Sequence, residues 1–475
     1  MDKEKLTTDY DENINHIDKV LRVNDSFDMI KKDMVVSDCR ITFYYIDGFV
    51  NSAIMQKLMM HIATIKYFGD KRETAAKQFA DQYVPAVEVD ITNDFEQGSL
   101  SVMSGCAAFF CEGFGANAII IDARTYPVRS GGEPENDRVL RGPHDGFVET
   151  LVFNTALIRR RIRDTNLTME IHTVGKKSKT DVCICFMKNR VNRKMLDTLR
   201  KKLDSITVNS LTMGQQSLID CLVPKQWFNP FPKVRYTERP DAVAASVLEG
   251  SMVVITDNSP AAMIIPSGIF DFLQDTNDYY MSPVIGSYMR IIRMFIFAMT
   301  MLLIPIWLVL IRNPQFIPEW LEFIKIEEEY TLPIVAQLYI VEVVIDAIKL
   351  ASINTPQSLS GSFGVIGALV LGEFAVSAGW FVPEVVLYMA FVALTNFTQP
   401  SFELGYAFKL FRMMFIALIA LFDLWGFAAG ILIVTAEIAA TKTVTGQCYL
   451  YPLIPFNGKA LLNLLLRRGI REYNN

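Results

Sequence analysis

The chain has 475 residues, a formal net charge of −5, 51% hydrophobic residues and a mean hydropathy of +0.25. The acidic balance argues against nucleic acid as a main partner, and the hydropathy is high for a water-soluble protein. The seven cysteines are dispersed, which favours free thiols over a disulfide framework. The first residues are polar and acidic without an apolar stretch, so no signal peptide is predicted and the N-terminal region is expected to be cytoplasmic.

The N-terminal region divides into a polar start and a first subdomain. Residues 1–37 are predicted to be mobile, apart from a short amphipathic helix. The segment CRITFYYIDGFV, residues 39–50, predicts a strand that ends at the Asp47-Gly48 turn. Two apolar runs around Gly113 and Gly115 predict a hairpin or tight turn. A phosphate-binding loop is the alternative, although the spacing fits neither a P-loop nor a dinucleotide fingerprint. With the Gly- and Pro-rich linker that follows, residues 38–146 form this subdomain.

A second subdomain is predicted over residues 147–285. Its first helix lies within Phe147–Asp164, where apolar residues recur at helical spacing. Three arginines crowd the last turns of this helix, and cations there complement the negative helix end; they are Arg159, Arg160 and Arg161. Their side chains are interpreted either as a solvated helix end or as a contact with an acidic partner, a neighbouring subunit or anionic lipid headgroups.

The remaining elements of the second subdomain are strands at 167–174 and 182–187, helices at 191–206 and 210–222, and a hairpin at 252–265. Between them, Glu238-Arg239-Pro240-Asp241 opens a helix, with proline in the first turn and a carboxylate near the positive helix end. This motif is assigned either to a junction that couples the soluble part to the membrane part or to helix capping. The N-terminal region is therefore predicted to be α+β or α/β, with two subdomains.

Catalytic chemistry is not indicated by the sequence. The four histidines have no metal-ligand spacing, and no nucleophile-elbow, Walker or kinase signature is present. Cys183 and Cys185 point to one face of a predicted strand, which favours a core pair over a metal site. The sequence predicts no enzyme activity, no cofactor and no metal.

Residues 286–441 are predicted to be an all-α transmembrane domain, followed by a basic tail at 442–475. Met294–Ile311 carries no charged residue and nearly crosses a hydrocarbon core of roughly 30 Å. A buried helix in a soluble domain is the alternative, but further apolar stretches follow. Four to five spans are predicted, with a re-entrant segment at 385–401 that is broken near Gln399 and Pro400. The basic tail favours an even number of crossings, with both ends on the cytoplasmic side.

Four acidic residues within the apolar stretches are candidates for an ion pathway, because such residues are costly in a membrane and often functional. Glu373 and Asp423 are predicted to lie deepest. Glu342 and Asp346, at i and i+4, share one helix face. A structural role between helices is the alternative for each. A ring of such residues in an oligomer would form a cation-selective path.

Four long segments together resemble the GerA family of spore germination proteins. They are RGPHDGFVETLVFNTALIRRRIRD, YTERPDAVAASVLEG, DNSPAAMIIPSGIFDFLQDTNDYY and TQPSFELGYAFKLFR. The resemblance extends from about residue 38 to the end of the chain.

The resemblance implies a multi-pass protein of the inner spore membrane with a two-part cytosolic N-terminal domain. It implies assembly as an oligomeric ion channel, possibly a pentamer, that releases monovalent cations during germination. The expected partners are the membrane, further copies of the chain, and other germination membrane proteins or a small membrane partner. The expected role is to amplify germination rather than to sense nutrient. The alternatives are a non-conducting scaffold for germination proteins and a secondary transporter, for which the break at Pro400 is the motive.

Overall fold

The computed structural model describes residues 5–68, 74–84, 88–124, 134, 137–223, 227–326, 330–354 and 375–467. The chain divides into two compact units. Unit 1 comprises residues 1–225 and 234–266, and unit 2 comprises residues 226–233 and 267–475. The predicted order of an N-terminal region with strands and a helical C-terminal region is confirmed.

Unit 1 contains two five-stranded sheets, and every described strand pairing in them is antiparallel. The region is therefore α+β, and the parallel α/β alternative does not apply. The first sheet has the order β1-β2-β4-β5-β3 and the second β6-β7-β9-β10-β8. The strands are β1 Met29–Val36, β2 Cys39–Ile46, β3 Val89–Thr92, β4 Ala107–Cys111, β5 Ala118–Ile121, β6 Leu167–Val174, β7 Thr180–Met187, β8 Arg235–Thr237, β9 Met252–Thr256 and β10 Ala262–Ile265.

The helices of unit 1 are α1 Tyr10–Leu21, α2 Ser52–Ile62, α3 Ala75–Tyr83, α4 Phe95–Met103, α5 Leu151–Arg161, α6 Arg193–Asp204, α7 Gln215–Leu222 and α8 Pro240–Leu248. Side chains at N-cap positions explain several helix starts. Asp9, Asn51 and Asp94 each accept hydrogen bonds from two backbone N–H groups of the first turn, which would otherwise lack partners.

The two sheets of unit 1 share one topology. In each, a helix precedes a hairpin, two helices and an edge strand follow, and a further helix leads to a second hairpin. The strand order is also the same once the second sheet is renumbered from its first strand. The sequence shows no repeat that would predict this likeness. In the first sheet both faces carry buried apolar residues, one face packed with α2 and α3 and the other with α1 and α4.

Residues 1–37 differ from the predicted mobile start. Helix α1 is present as expected, but residues 29–36 form β1 and pair along their whole length with β2. Charged Lys31, Lys32 and Asp33 obscure the strand in the sequence. They are tolerated because β1 is an edge strand, with one side of the ladder open to water.

Unit 2 is helical. Its elements are α9 Asn277–Tyr280, α10 Pro283–Arg312, α11 Ile334–Asn354, α12 Ala375–Ser377, α13 Pro383–Phe397, α14 Phe402–Ala440 and α15 Gly458–Leu465, with 3₁₀ turns at Ile269–Leu273, Pro314–Phe316 and Glu319–Ile324. Among the described residues, α10 and α14 are long and apolar enough to cross a membrane. The predicted apolar span at 361–381 falls largely outside the described residues.

Helix α14 is two helical limbs that fold back on each other. Asp423 has non-helical φ and ψ values of 54° and −128°. A side chain at Gly426 would collide with the backbone of Leu418, and one at Gly430 would collide with the ring of Phe415. Such contacts are impossible in a straight helix, where eight residues span about 12 Å. Limbs 402–422 and 424–440 therefore form a tight antiparallel hairpin in which two glycines allow close backbone approach.

Two segments that the sequence assigns to the soluble part belong to unit 2. Residues 226–233 contribute Phe231, whose ring stacks on Phe411 at 5.1 Å between centroids. Residues 267–285 contribute Asp278, which pairs with Arg293 in a buried site. Arg290 and Arg293 flank the apolar stretch 294–311 in the sequence, and only 5% and 8% of their surface is exposed. The apolar pattern could not predict this, because their partner lies on a separate short helix.

Candidate functional site

The candidate site is a buried ionic cluster between α11 and α14. Arg412 donates from Nε to Glu342 Oε1 at 2.6 Å, and Lys409 Nζ lies 3.3 Å from Glu342 Oε2. Lys409 also pairs with Asp346. The two acids are one turn apart on α11 and the two cations are one turn apart on α14, so both pairs face each other across the helix contact. We refer to these four residues as the ionic cluster.

The end of the ionic cluster at Glu342 and Arg412 is buried, whereas the end at Asp346 is partly exposed to solvent. Glu342 is 2% exposed and Arg412 is fully buried. The Asp346 side chain is 33% exposed, and its Oδ1 atom is buried without a hydrogen-bond partner among the described residues. The formal charges of the cluster balance, since two carboxylates face two cations. Burial of such ions is tolerable only with this compensation.

Neutral polar groups extend the ionic cluster to two further helices. Arg412 Nη1 donates to the backbone oxygen of Thr300 on α10 at 2.6 Å. The hydroxyl of Thr300 lies 2.9 Å from that of Thr395 on α13. Gln399 Nε2 donates to the Thr300 hydroxyl at 3.3 Å. The polar path therefore joins α10, α11, α13 and α14, and it ends at the break that Pro400 makes between α13 and α14.

Asp423 lies at the turn of the α14 hairpin rather than deep in a continuous helix. Asn313 Nδ2 donates to its Oδ1 at 2.9 Å, and Arg312 Nε lies 3.8 Å from the same atom. Arg312 also donates to the last carbonyls of the first limb, those of Ile419 and Ala420. The apolar run at 413–440 therefore contains a reversal at Asp423, and the depth of this residue in a membrane stays a prediction. Glu373 lies outside the described residues.

The three arginines of α5 have different surroundings. Arg159 is 1% exposed and forms a two-pronged ion pair with Asp28, with N–O distances of 2.9 Å. It was expected on the surface and cannot bind an acidic partner there. Arg161 pairs with Asp145 at 2.7 Å and is partly exposed, while Arg160 is exposed. An interface role for Arg160 and Arg161 stays a prediction.

The Glu238-Arg239-Pro240-Asp241 motif makes buried contacts within unit 1. Arg239 is fully buried, and it pairs with Asp241 at 2.9 Å and donates to the backbone oxygen of Pro143 at 2.9 Å. The backbone oxygen of Glu238 accepts from the N–H of Phe147. These contacts pin the start of α8 to the segment before α5. A coupling role for the motif stays a prediction.

The cysteine pair on β7 fits a core role. Cys183 and Cys185 are both fully buried, and burial raises the pKa of Cys185 to about 12. Among the described residues, no group of three or more His, Cys, Asp or Glu side chains is placed to hold a metal ion.

Sequence reasoning found both acids of the ionic cluster but not their partners. The signal that could have found them is spacing: two acids at i, i+4 on one apolar helix and two cations at i, i+3 on another predict mutual pairing.

An α+β region with two antiparallel sheets, followed by a helical region with two helices long and apolar enough to cross a membrane, is typical of a membrane protein with a separate α+β region. The family model for the Bacillus/Clostridium GerA spore germination protein matches residues 15–475. The chain belongs to this family.

Individual relatives agree with this membership. Stage V sporulation protein AF of Bacillus subtilis (strain 168) is 36% identical over 93% of this chain and 89% of its own length. The likeness to that relative was expected from the sequence and is confirmed. Spore germination protein KA of the same organism is 27% identical over 94% of this chain and 82% of its own. The chain is thus a germination-related membrane protein.

One solved structure is similar in part. It is the N-terminal domain of the A subunit of the Bacillus megaterium spore germinant receptor GerK3. The likeness covers 56% of this chain and 97% of that one, with 22% identity and a TM-score of 0.41.

Proposed function

We propose that the chain is a membrane subunit of a spore germination complex that assembles as an oligomeric ion channel and releases monovalent cations. It sits in the inner spore membrane as a multi-pass protein, with unit 1 on the spore-core side. It acts with other germination membrane proteins or a small membrane partner, and it amplifies germination rather than sensing nutrient.

The observation that carries this proposal is the ionic cluster. Two carboxylates on one apolar helix face two cations on another, and ionisable groups inside membrane helices often mark ion pathways. In the closed state the cations of the protein neutralise the carboxylates. When α11 and α14 separate, Glu342 and Asp346 become available to permeant cations. The unpartnered Oδ1 of Asp346 marks the end of the cluster at which a cation first enters.

The test is potassium flux from proteoliposomes that contain the purified chain, with and without its membrane partners. Glu342→Gln and Asp346→Asn keep the side-chain shape and remove the charge. We expect both to change flux at equal protein level, whereas Glu319→Gln, at an exposed position, leaves flux unchanged. Equal flux in all four proteins would remove the ionic cluster from the pathway.

A non-conducting scaffold is the second candidate, and the complete charge balance of the ionic cluster favours it. A fully paired cluster is able to hold helices together without conducting ions. The scaffold predicts no flux from the wild-type chain under any condition, together with retained binding of germination proteins. A secondary transporter predicts saturable, stoichiometric uptake of a substrate instead, with Gln399 and Pro400 at its broken helix.

A further inference from the structure

Two cysteines of unit 1 lie side by side at one end of the first sheet. Cys39 begins β2 and Cys111 ends β4, and these strands are hydrogen-bonded neighbours. The register pairs Ile41 with Cys111, so Cys39 lies diagonally across the ladder on the same face. The two sulfur atoms are 3.2 Å apart, and both residues are free thiols.

The two thiols differ in access. Cys39 follows the β1–β2 turn and is partly exposed, while Cys111 is 3% exposed. A soluble reagent therefore reaches Cys39 first, and Cys111 contacts it from the protected side. No movement of a separate element is needed to bring the sulfurs together, because the sheet already holds them as neighbours.

The two thiols also differ in acidity. A hydrogen bond from the Cys111 thiol lowers the pKa of Cys39 to about 7, and the backbone N–H of Gly113 acts in the same direction. Burial raises the pKa of Cys111. Burial likewise raises the pKa of Cys106 and of Cys221. Cys39 thus carries thiolate near neutral pH, and the thiolate is the reactive form of cysteine.

We propose that Cys39 and Cys111 form a redox-active pair that closes reversibly into an intramolecular disulfide when a low-molecular-weight disulfide reacts with unit 1. An accessible, acidic thiol beside a second thiol is the arrangement of redox-sensing cysteines. Nothing in this inference depends on ion conduction by unit 2.

The reaction has two exchange steps. The Cys39 thiolate attacks one sulfur of the reagent, so a mixed disulfide forms and one reagent thiolate leaves. Cys111 loses its proton to solvent and its sulfur attacks Sγ of Cys39, which displaces the second reagent thiolate. The protein loses two electrons and two protons, and the reagent is reduced to two thiols.

The closed pair would link positions 72 residues apart in the sequence. A link over a loop of that length removes much conformational freedom from the unfolded chain. Because the sulfurs are already neighbours, we expect little change in the folded sheet. The unfolding temperature of unit 1 should therefore rise by about 5 °C or more on oxidation.

The experiment uses the full chain in detergent, treated with oxidised glutathione at pH 8 and digested without reduction. We expect a peptide pair joined through Cys39 and Cys111, lighter by two hydrogens than the free peptides and separated by dithiothreitol. Cys221→Ser, which removes an exposed thiol, should leave the pair intact. Cys111→Ser should stop at a glutathione adduct on Cys39, and Cys39→Ser should leave Cys111 reduced.

A second measurement uses only the wild-type chain, so it does not depend on how the variants fold. Alkylation of Cys39 followed against pH should have its midpoint near 7, whereas that of Cys221 should lie above the ordinary value of 9.0. Absence of the joined peptide in the folded chain, or equal midpoints for the two thiols, would overturn the proposal.

Discussion

Each of the two units contains a buried ion pair site, and the two sites are built differently. In unit 1, Arg159 meets one carboxylate, that of Asp28, and its remaining donors bond to Ser26 Oγ and to the backbone oxygen of Leu167. In unit 2, the ionic cluster shares four charges among four side chains. One site is a closed pair, and the other is a network.

The two sites differ in the charge compensation that remains when one charged side chain is removed. Without Arg159, no other cation among the described residues pairs with the buried Asp28 carboxylate. Without Arg412, Glu342 keeps Lys409 at 3.3 Å. A closed pair is therefore rigid and irreplaceable, whereas a network can exchange partners and retain compensation. The second property suits a part of the protein that changes state, and the first suits a part that does not.

The largest expected effect is from Arg159→Leu. It leaves Asp28 charged and 1% exposed, and breaking a buried pair on one side costs about 3–5 kcal/mol. The measurement is the free energy of opening of unit 1 from hydrogen exchange of its core amides. Arg160→Leu, at the neighbouring exposed position, should change it by about 0.5 kcal/mol or less. Equal effects of both variants would show that Arg159 is not the essential partner.

Gly426→Val should have the next largest effect. A branched side chain there would meet the backbone of Leu418 in the facing limb, where no rotamer change can relieve the clash. We expect a loss of about 3 kcal/mol, at the high end for overpacking. Thermal unfolding of the detergent-solubilised chain measures it. Ala428→Val, on the exposed side of the same limb, is the control. Equal stability of the two variants would contradict the hairpin.

Arg412→Leu should destabilise unit 2 by about 2 kcal/mol, less than Arg159→Leu destabilises unit 1, because Lys409 still compensates Glu342. The double variant Arg412→Leu with Glu342→Gln should recover part of the loss, since it removes the excess charge. A double-mutant cycle on thermal unfolding tests this. If the two losses simply add, the pair is not coupled.

The smallest effect is expected from Asp346→Asn. Its side chain is one-third exposed and Lys409 retains Glu342, so the loss should be about 1 kcal/mol or less. The same unfolding experiment applies, with Glu319→Gln as the exposed acid-to-amide control. A loss as large as that from Arg412→Leu would mean that the cluster behaves as a closed pair, like the site in unit 1.

The sequence predicted many elements of the fold because their signals are local. The strand at 39–46, the hairpin at 252–265 and the apolar helix around 294–311 each follow from residue type and spacing over a few turns. By contrast, β1 was missed because its exposed face carries charges that an isolated strand pattern does not explain.

Only the acidic half of the candidate site was predicted from the sequence. Glu342 and Asp346 are recognisable as unusual because each lies in an apolar segment. The sequence of that one helix is enough to identify them. The identity of the partner is not readable there, because Lys409 and Arg412 lie 67 and 70 residues further along the chain. The sequence shows charged residues in apolar segments, which are costly to bury. The structure shows that these charges neutralise one another in pairs.

By itself the sequence determined the two-part organisation of this protein, its apolar helices, its family and the acids worth testing. The organisation, the helices and the acids depend on composition and short-range periodicity, which each segment carries independently, whereas the family follows from the resemblance of four long segments to known members. Only the tertiary structure decided that Arg159 is buried against Asp28, that α14 reverses at Asp423, and that two acids and two cations form one cluster. Each of these is a contact between distant segments, and it arises only when packing excludes water and charged groups must find partners inside.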